Sequence, residues 1–179
     1  MSSEPDPKLA MVVAVARNGA IGMAGTLPWR LSSDLKMFRK LTMGKPLIMG
    51  RRTFQSLPGA LDGRDNLVVS RAPGLLFEGA EVFATTDAAL ERARVLARQR
   101  GVDEVMLIGG AALYDTLLDQ VDRVYWTHVD AEPEADTFLA ALAEADWVCK
   151  STEALMQGAR DDYASELRVY ERKSAVPNT

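Results

Sequence analysis

The chain has 179 residues, of which 47% are hydrophobic and 26% charged, with a formal net charge of −4; these proportions suit one folded domain with a sizeable core. That charge, with no basic run or basic tail, argues against a nucleic-acid or anionic-membrane partner. One cysteine, Cys149, excludes an intrachain disulfide, and one histidine, His128, leaves neither a Cys/His zinc cluster nor a choice of histidines for a Ser-His-Asp triad, so no metal site is expected.

Residues 1–8 carry Glu4, Asp6 and two prolines, the wrong composition for a signal peptide, and are expected to be a disordered tail. The domain then spans 9–173, and 174–179 form a second tail. Leu9 to Ala16 is an apolar run of strand length, too short to cross a bilayer and of the kind buried on both faces of a sheet. Together with the single cysteine it points to a cytoplasmic protein. Asn18-Gly19 marks a turn, and Ile21-Gly22-Met23-Ala24-Gly25 continues as a glycine-rich loop up to Pro28. Ser32 or Ser33 is positioned to cap a helix running from about Asp34 to Met43, in which Asp34, Phe38 and Leu41 share one face. Pro46 to Met49 reads as a short buried strand, and Gly50-Arg51-Arg52-Thr53 leads into a short helix to Leu57. After turns at Pro58-Gly59 and Asp62-Gly63, Asn66 to Ser70 and Glu81 to Ala84 read as strands. Thr86-Asp87 starts a helix to Arg100 that buries Ala89, Leu90, Ala93, Leu96 and Ala97 and stops at Gly101. Glu104 to Ile108 is a strand, and Gly109-Gly110 opens a helix to about Leu118. Arg123 to Val129 follows as a strand, and Trp147 to Lys150 with Ser165 to Tyr170 make an antiparallel pair. Trp126, Trp147 and Cys149 read as buried. The fold class is α/β: a single domain with a central, mostly parallel sheet, an antiparallel edge and flanking helices.

Three features carry chemistry. Asp34 shares a stripe with an aromatic and a leucine, so it is either an acid favoured by the helix dipole or a lone acid facing a ligand. The strand ending in Gly109-Gly110 at a helix start suits a phosphate, because the backbone can come close and offers unpaired N–H donors. The same glycines serve equally as a packing device, and the three spaced glycines of the dinucleotide fingerprint are missing. Arg51, Arg52 and Arg71, with Thr53 and Ser70, stand at the carboxyl ends of two strands, where open α/β sheets bind ligands. Each arginine alone is an ordinary solvated residue, but together they suit a phosphorylated ribose, hence NADP rather than NAD.

The segments Ile21-Gly22-Met23, Leu27-Pro28-Trp29, Asp34 with Phe38, Ile48-Met49-Gly50-Arg51, Leu61-Asp62-Gly63-Arg64, Ile108-Gly109-Gly110, Thr127-His128-Val129-Asp130-Ala131 and Asp136-Thr137 stand in an order that resembles dihydrofolate reductase of the bacterial chromosomal type, from about Lys8 to Lys173. The resemblance implies NADPH-dependent reduction of dihydrofolate, inhibition by antifolates, and a monomer. It implies catalytic roles for Asp34, Trp29, Leu27, Thr127 and Tyr114. Asp34 would hold the amidine-like edge of the pterin, Thr127 would bond to that carboxylate, and Trp29 would hold a water near the substrate. Val12, Val13, Ala14, Leu35, Phe38, Leu57, Leu61 and Ile108 would surround the substrate, and Arg64 would pair with the carboxylate of its glutamate tail. Ala14, Ile21, Gly22, Gly50, Ile108, Gly109, Gly110, Ala111, Ala112, Leu113, Tyr114 and Thr137 would line the nicotinamide and pyrophosphate. Arg51, Arg52, Thr53, Ser70 and Arg71 would hold the adenosine half. The loop from Ala16 to Trp29 would close over the nicotinamide, with Asp136 bonded to loop amides near Gly22. The chain departs from the pattern at Leu27, where many relatives carry methionine, and at Gly109-Gly110-Ala111, where the family has three glycines. Two other readings exist: the related pyrimidine reductase of riboflavin synthesis, which needs neither Asp34 nor Arg64, and a non-catalytic pterin- or nucleotide-binding protein.

Overall fold

A computed structural model describes residues 5–173; residues 1–4 of the first expected tail and the whole of the second, 174–179, lie outside the described residues. In chain order the strands are β1 (Lys8–Ala16), β2 (Ala20–Gly22), β3 (Pro46–Gly50), β4 (Asp65–Val69), β5 (Ala80–Phe83), β6 (Glu104–Gly109), β7 (Arg123–Val129), β8 (Thr137–Phe138), β9 (Trp147–Leu155) and β10 (Ser165–Arg172). The helices are α1 (Ser32–Thr42), α2 (Arg51–Ser56), α3 (Thr86–Arg100) and α4 (Ala111–Leu117), the last running into a 3-10 turn at Leu118–Gln120. One sheet has the order β5-β4-β3-β6-β1-β7-β10-β9, and β2 pairs with β8 in a small second sheet. The pairs from β5 to β7 are parallel, and β10 is antiparallel to both β7 and β9.

Strand β1 lies near the middle of the sheet, so both its faces are covered, and this accounts for its unbroken apolar run. Leu9, Met11, Val13 and Val15 pack on one side with Ala89, Leu90, Ala93 and Ala97 of α3 and with Tyr114 and Leu117 of α4. Ala10 faces the other side, where Leu47, Met49, Phe54, Val68 and Met106 form a second cluster. A third cluster of Ala16, Ala20, Trp29, Leu31, Val129 and Ala131 closes the carboxyl end of β1. Helix α3 carries the strongest end signals: the Thr85 hydroxyl oxygen accepts from the Ala88 N–H at 3.1 Å, and Gly101, at φ 70, takes the left-handed turn that stops it.

Glu104 opens β6 at the amino ends of the parallel strands and is 4% exposed. Its carboxylate accepts from Lys45 Nζ at 2.7 Å, Arg123 Nη1 at 3.0 Å and Tyr125 Oη at 2.8 Å. Burial pushes the carboxyl up, but Lys45, Tyr125 and Arg123 together outweigh it and hold the group below its ordinary value.

Several expectations change. Lys8 belongs to β1 rather than to a tail. Part of the glycine-rich loop, Ala20–Gly22, is a strand held by β8. Neither Ser32 nor Ser33 caps α1 with its own side chain: Leu31 occupies the cap position without a side-chain bond. The acceptor instead comes from the distant Asp161, which takes the Ser33 N–H at 2.8 Å. Cys149 is exposed rather than buried, because β9 is an edge strand with no helix over it. Trp126 and Trp147 are core residues as expected.

Candidate active site

Asp34 sits in the first turn of α1, facing the carboxyl half of the central strands. Thr127 of β7 lies beside Ala14 of β1 in register, and its hydroxyl donates to Asp34 Oδ1 at 2.8 Å. Burial is the largest influence on Asp34 and raises its carboxyl above the ordinary 3.8; the Thr127 bond opposes the rise and the Asp161 anion adds to it. Around this acid, Val12, Ala14, Phe38, Leu57, Leu61 and Ile108 are only half-buried although apolar. Val12, Leu57, Leu61 and Ile108 edge the second core cluster and Ala14 edges the third, so the cleft between them has apolar walls and one polar group, the kind that takes a flat organic ligand. Val13 points to the other side of the sheet, into the first cluster, so only its backbone is available to the cleft. Leu35, one residue past Asp34, is 58% exposed.

Trp29 is 8% exposed, and its Nε1 is a buried donor with no partner among the described residues. A buried N–H without an acceptor is costly, so this atom marks a place where a water or ligand oxygen belongs. Leu27, two residues earlier, is 47% exposed at the loop tip. The loop is tied at its middle: the Ala24 N–H donates to Asp136 Oδ2 at 2.9 Å, the Asp136 N–H donates to the Gly22 carbonyl at 3.1 Å, and Thr137 Oγ1 donates to Asp136 Oδ1 at 2.9 Å. Ile21 packs against the first core cluster, and Gly22 pairs with Thr137.

Across the cleft, β6 ends at Gly109-Gly110, joined by a cis peptide, and α4 begins at Ala111. Gly109 has φ 129, and a Cβ there would stand 3.3 Å from Tyr114 Oη and 3.4 Å from Thr53 Oγ1. Only glycine meets both demands, so these two residues draw Thr53 and Tyr114 against bare backbone. The Tyr114 hydroxyl donates to the Val12 carbonyl at 2.8 Å, and burial raises its phenol so far that it stays neutral. A Cβ at Gly50 would come within 3.8 Å of Gly110 N and Leu113 Cδ1, so strand β3 also closes on this backbone. Arg51, Arg52 and Arg71 are exposed and make no ion pair among the described residues. Ser70 Oγ accepts the Ala72 N–H at 3.2 Å, and Ala112, exposed in the first turn of α4, brings no polar group. Bare glycine backbone, two hydroxyls and three unpaired guanidiniums fit a dinucleotide with an extra phosphate.

Arg64 is 8% exposed. Its Nε donates to the Asp62 carbonyl at 2.9 Å and its Nη1 to Thr42 Oγ1 at 3.1 Å, while Nη2 lies 3.5 Å from Asp62 Oδ1. Burial, with Arg39 nearby, lowers its pKa from the ordinary guanidinium value, so a carboxylate arriving there would meet a prepositioned, poorly compensated cation. A separate cavity of about 520 Å³ lies on the opposite face, among Val15, Trp126, His128, Leu139, Trp147 and Arg168. Its mouth cations are already paired, Arg17 with Asp130 and Arg168 with Glu166, and it contains neither the acid nor the glycines.

Comparison with known proteins gives the family. The dihydrofolate reductase family profile matches residues 8–172. The chain belongs to the dihydrofolate reductase family. Its activity is that of the family, reduction of dihydrofolate, and its cofactor is NADPH. It is 41% identical over 139 residues to dihydrofolate reductase type 3 of Salmonella typhimurium, covering 78% of this chain and 82% of that one. It is 34% identical over 167 residues to the dihydrofolate reductase of Bacillus subtilis, covering 93% and 96%. A solved dihydrofolate reductase from Enterococcus faecalis, complexed with NADP(H) and RAB-propyl, superposes with a TM-score of 0.83 at 28% identity over 93% of this chain and 97% of that one. The sequence reading gives no place to Asp161, whose negative charge acts on Asp34. It stands 127 positions after Asp34, and no local pattern links them.

Proposed function

We propose that in this chain the conversion of 7,8-dihydrofolate to 5,6,7,8-tetrahydrofolate is organised by Asp34, and the Thr127–Asp34 bond in an otherwise apolar cleft carries that reading. NADPH, when bound, supplies the hydride that goes to C6. Asp34 holds the 2-amino and N3 edge of the pterin by paired charge-assisted bonds, the strongest orientation a single carboxylate can give. Thr127 spends its proton on Oδ1 and so fixes the carboxylate plane, leaving Oδ2 and the remaining lone pair of Oδ1 for the ligand. Because Asp34 holds the edge away from N5, the proton reaches N5 through water. The unpartnered Trp29 Nε1 is the donor that holds water on that side.

Leu27 and the loop tied by Asp136 exclude bulk water from the nicotinamide side, a gating role. Val12, Ala14, Leu35, Phe38, Leu57, Leu61 and Ile108 hold the rings of dihydrofolate or of an antifolate, and Arg64 takes the glutamate carboxylate. The Gly109-Gly110 backbone, Tyr114, Thr53, Gly50 and the first turn of α4 receive the pyrophosphate and nicotinamide, while Arg51, Arg52, Ser70 and Arg71 hold the adenosine half and its phosphate. A cytoplasmic monomer is part of this proposal; the single cysteine fits a reducing compartment, and no helix among the described residues is long and apolar enough to cross a membrane. The test is the loss of NADPH absorbance on adding dihydrofolate, run beside Asp34→Asn. The native chain should turn over and the variant should not; a native chain that binds NADPH yet never oxidises it with dihydrofolate refutes the reading.

A further inference from the structure

We propose that Asp161, on the β9–β10 loop, is a positioning residue for Asp34: it holds the first turn of α1 from outside the helix and keeps a fixed negative charge beside the acid. The inference rests on the role just given to Asp34. Ordinarily the residue before a helix caps it with its own side chain, but Leu31 cannot. The 158–162 segment does so instead. Asp161 Oδ1 accepts the Ser33 N–H at 2.8 Å, and Oδ2 accepts the Gly158 N–H at 2.7 Å. The Ser33 hydroxyl reaches both Asp161 Oδ2 and the Met156 carbonyl; it has one proton, and the carboxylate is the stronger acceptor.

The neighbouring residues add a strap. The Arg30 N–H donates to Asp162 Oδ2 at 2.8 Å, the Asp162 N–H returns to the Arg30 carbonyl at 2.8 Å, and Leu31 bridges to Asp161. The chain therefore enters α1 between Trp29 and Asp34 along a fixed path.

These donors hold the Asp161 carboxyl down to about 2, so it stays charged wherever the enzyme works. Three elements bring groups to Asp34: β7 brings Thr127, α4 brings Tyr114, which burial keeps neutral, and the β9–β10 loop brings Asp161. Of these three, only Asp161 is an anion. It favours the protonated form of Asp34 and so opposes the desolvated carboxylate that must meet the pterin. The same residue aims the acid and sets how readily it ionises.

The experiment compares native enzyme, Asp161→Asn, Asp161→Glu and Ser33→Ala as full chains. The Asp34 carboxyl is titrated by carbon-13 NMR, its signal assigned by its loss in Asp34→Asn. The midpoint should move to lower pH in Asp161→Asn and return to the native position in Asp161→Glu. The KM for dihydrofolate should rise about tenfold in Asp161→Asn, as a displaced group would cause, while NADPH affinity changes less than about twofold. Ser33→Ala removes one donor and keeps the charge, so it should raise KM without moving the midpoint; it carries the positioning test if Asp161→Asn does not fold. An unmoved Asp34 midpoint with unchanged KM overturns the inference and leaves Asp161 a plain helix cap. Retained turnover in Asp34→Asn would overturn the role of Asp34 itself, while the titration would still report on Asp161.

Discussion

Replacing Glu104 by Gln is expected to destabilise the protein strongly and leave its chemistry alone. The carboxylate is almost fully buried and accepts from Lys45, Arg123 and Tyr125 at once. Gln keeps one acceptor, turns an amide NH₂ toward donors, and deprives two cations of their counter-charge. Breaking a buried ion pair on one side costs about 3–5 kcal/mol. Here the lower end applies, because the side chains of Lys45 and Arg123 remain 20% and 22% exposed and Arg123 keeps Glu171. In a domain of this size about 3 kcal/mol lowers Tm by about 6–12 °C, measurable by circular dichroism. The folded-state pKa of Glu104 is depressed below 4.5, so its contribution is full above that value and lost as pH falls through the folded pKa. Native and variant melting curves should therefore converge in acid. At 25 °C kcat/KM should stay within about twofold of native, since the network lies at the amino ends of the strands and the cleft at their carboxyl ends. A Tm change below about 2 °C at pH 7, or curves that stay parallel into acid, would refute the reasoning.

Asp34→Asn should abolish turnover yet raise Tm at neutral pH. Its folded pKa is raised, so ionisation opposes folding above that pKa, and the gain should vanish as pH falls below 3.8. Arg71→Ala should weaken NADPH binding about tenfold or more, the worth of a charge-assisted bond of about 1.5–3 kcal/mol, and leave NADH binding unchanged; equal loss for both cofactors would remove the phosphate role. Asp136→Ala frees the Ala24 N–H, and should slow single-turnover hydride transfer several-fold while the Kd for dihydrofolate measured without cofactor holds.

Elements whose causes are local could be read from the chain: β7 was bounded to the residue, and α3 was found from Thr86 to Arg100 because its stripe and its glycine stop are consecutive in sequence. What escaped reading depends on distant partners. Ala20–Gly22 has no strand pattern of its own and becomes one only because Thr137–Phe138 arrives beside it. Strand β9 runs on past the expected end at Lys150 through Ser151-Thr152-Glu153, because pairing with β10 needs no buried side chain at a sheet edge. Asp34 was legible as an acid on an apolar stripe. The Thr127 partner came from family likeness, and Asp161 from neither source, since helix rules look for a cap next door.

Strand order also dictates when the cleft can exist. Strand β1 emerges first but pairs with β6, 96 positions later at Lys8–Glu104, and with β7, 113 positions later at Ala10–Arg123, and α1 receives its cap from residue 161. Until the last hairpin has docked, the acid's helix lacks its cap and Thr127 lacks the β10 strand beside it. A chain interrupted after residue 156 lacks both the β10 strand and the Asp161 cap, and with them an aimed acid. Its competence is a late event of folding, set by the longest loops it has to close.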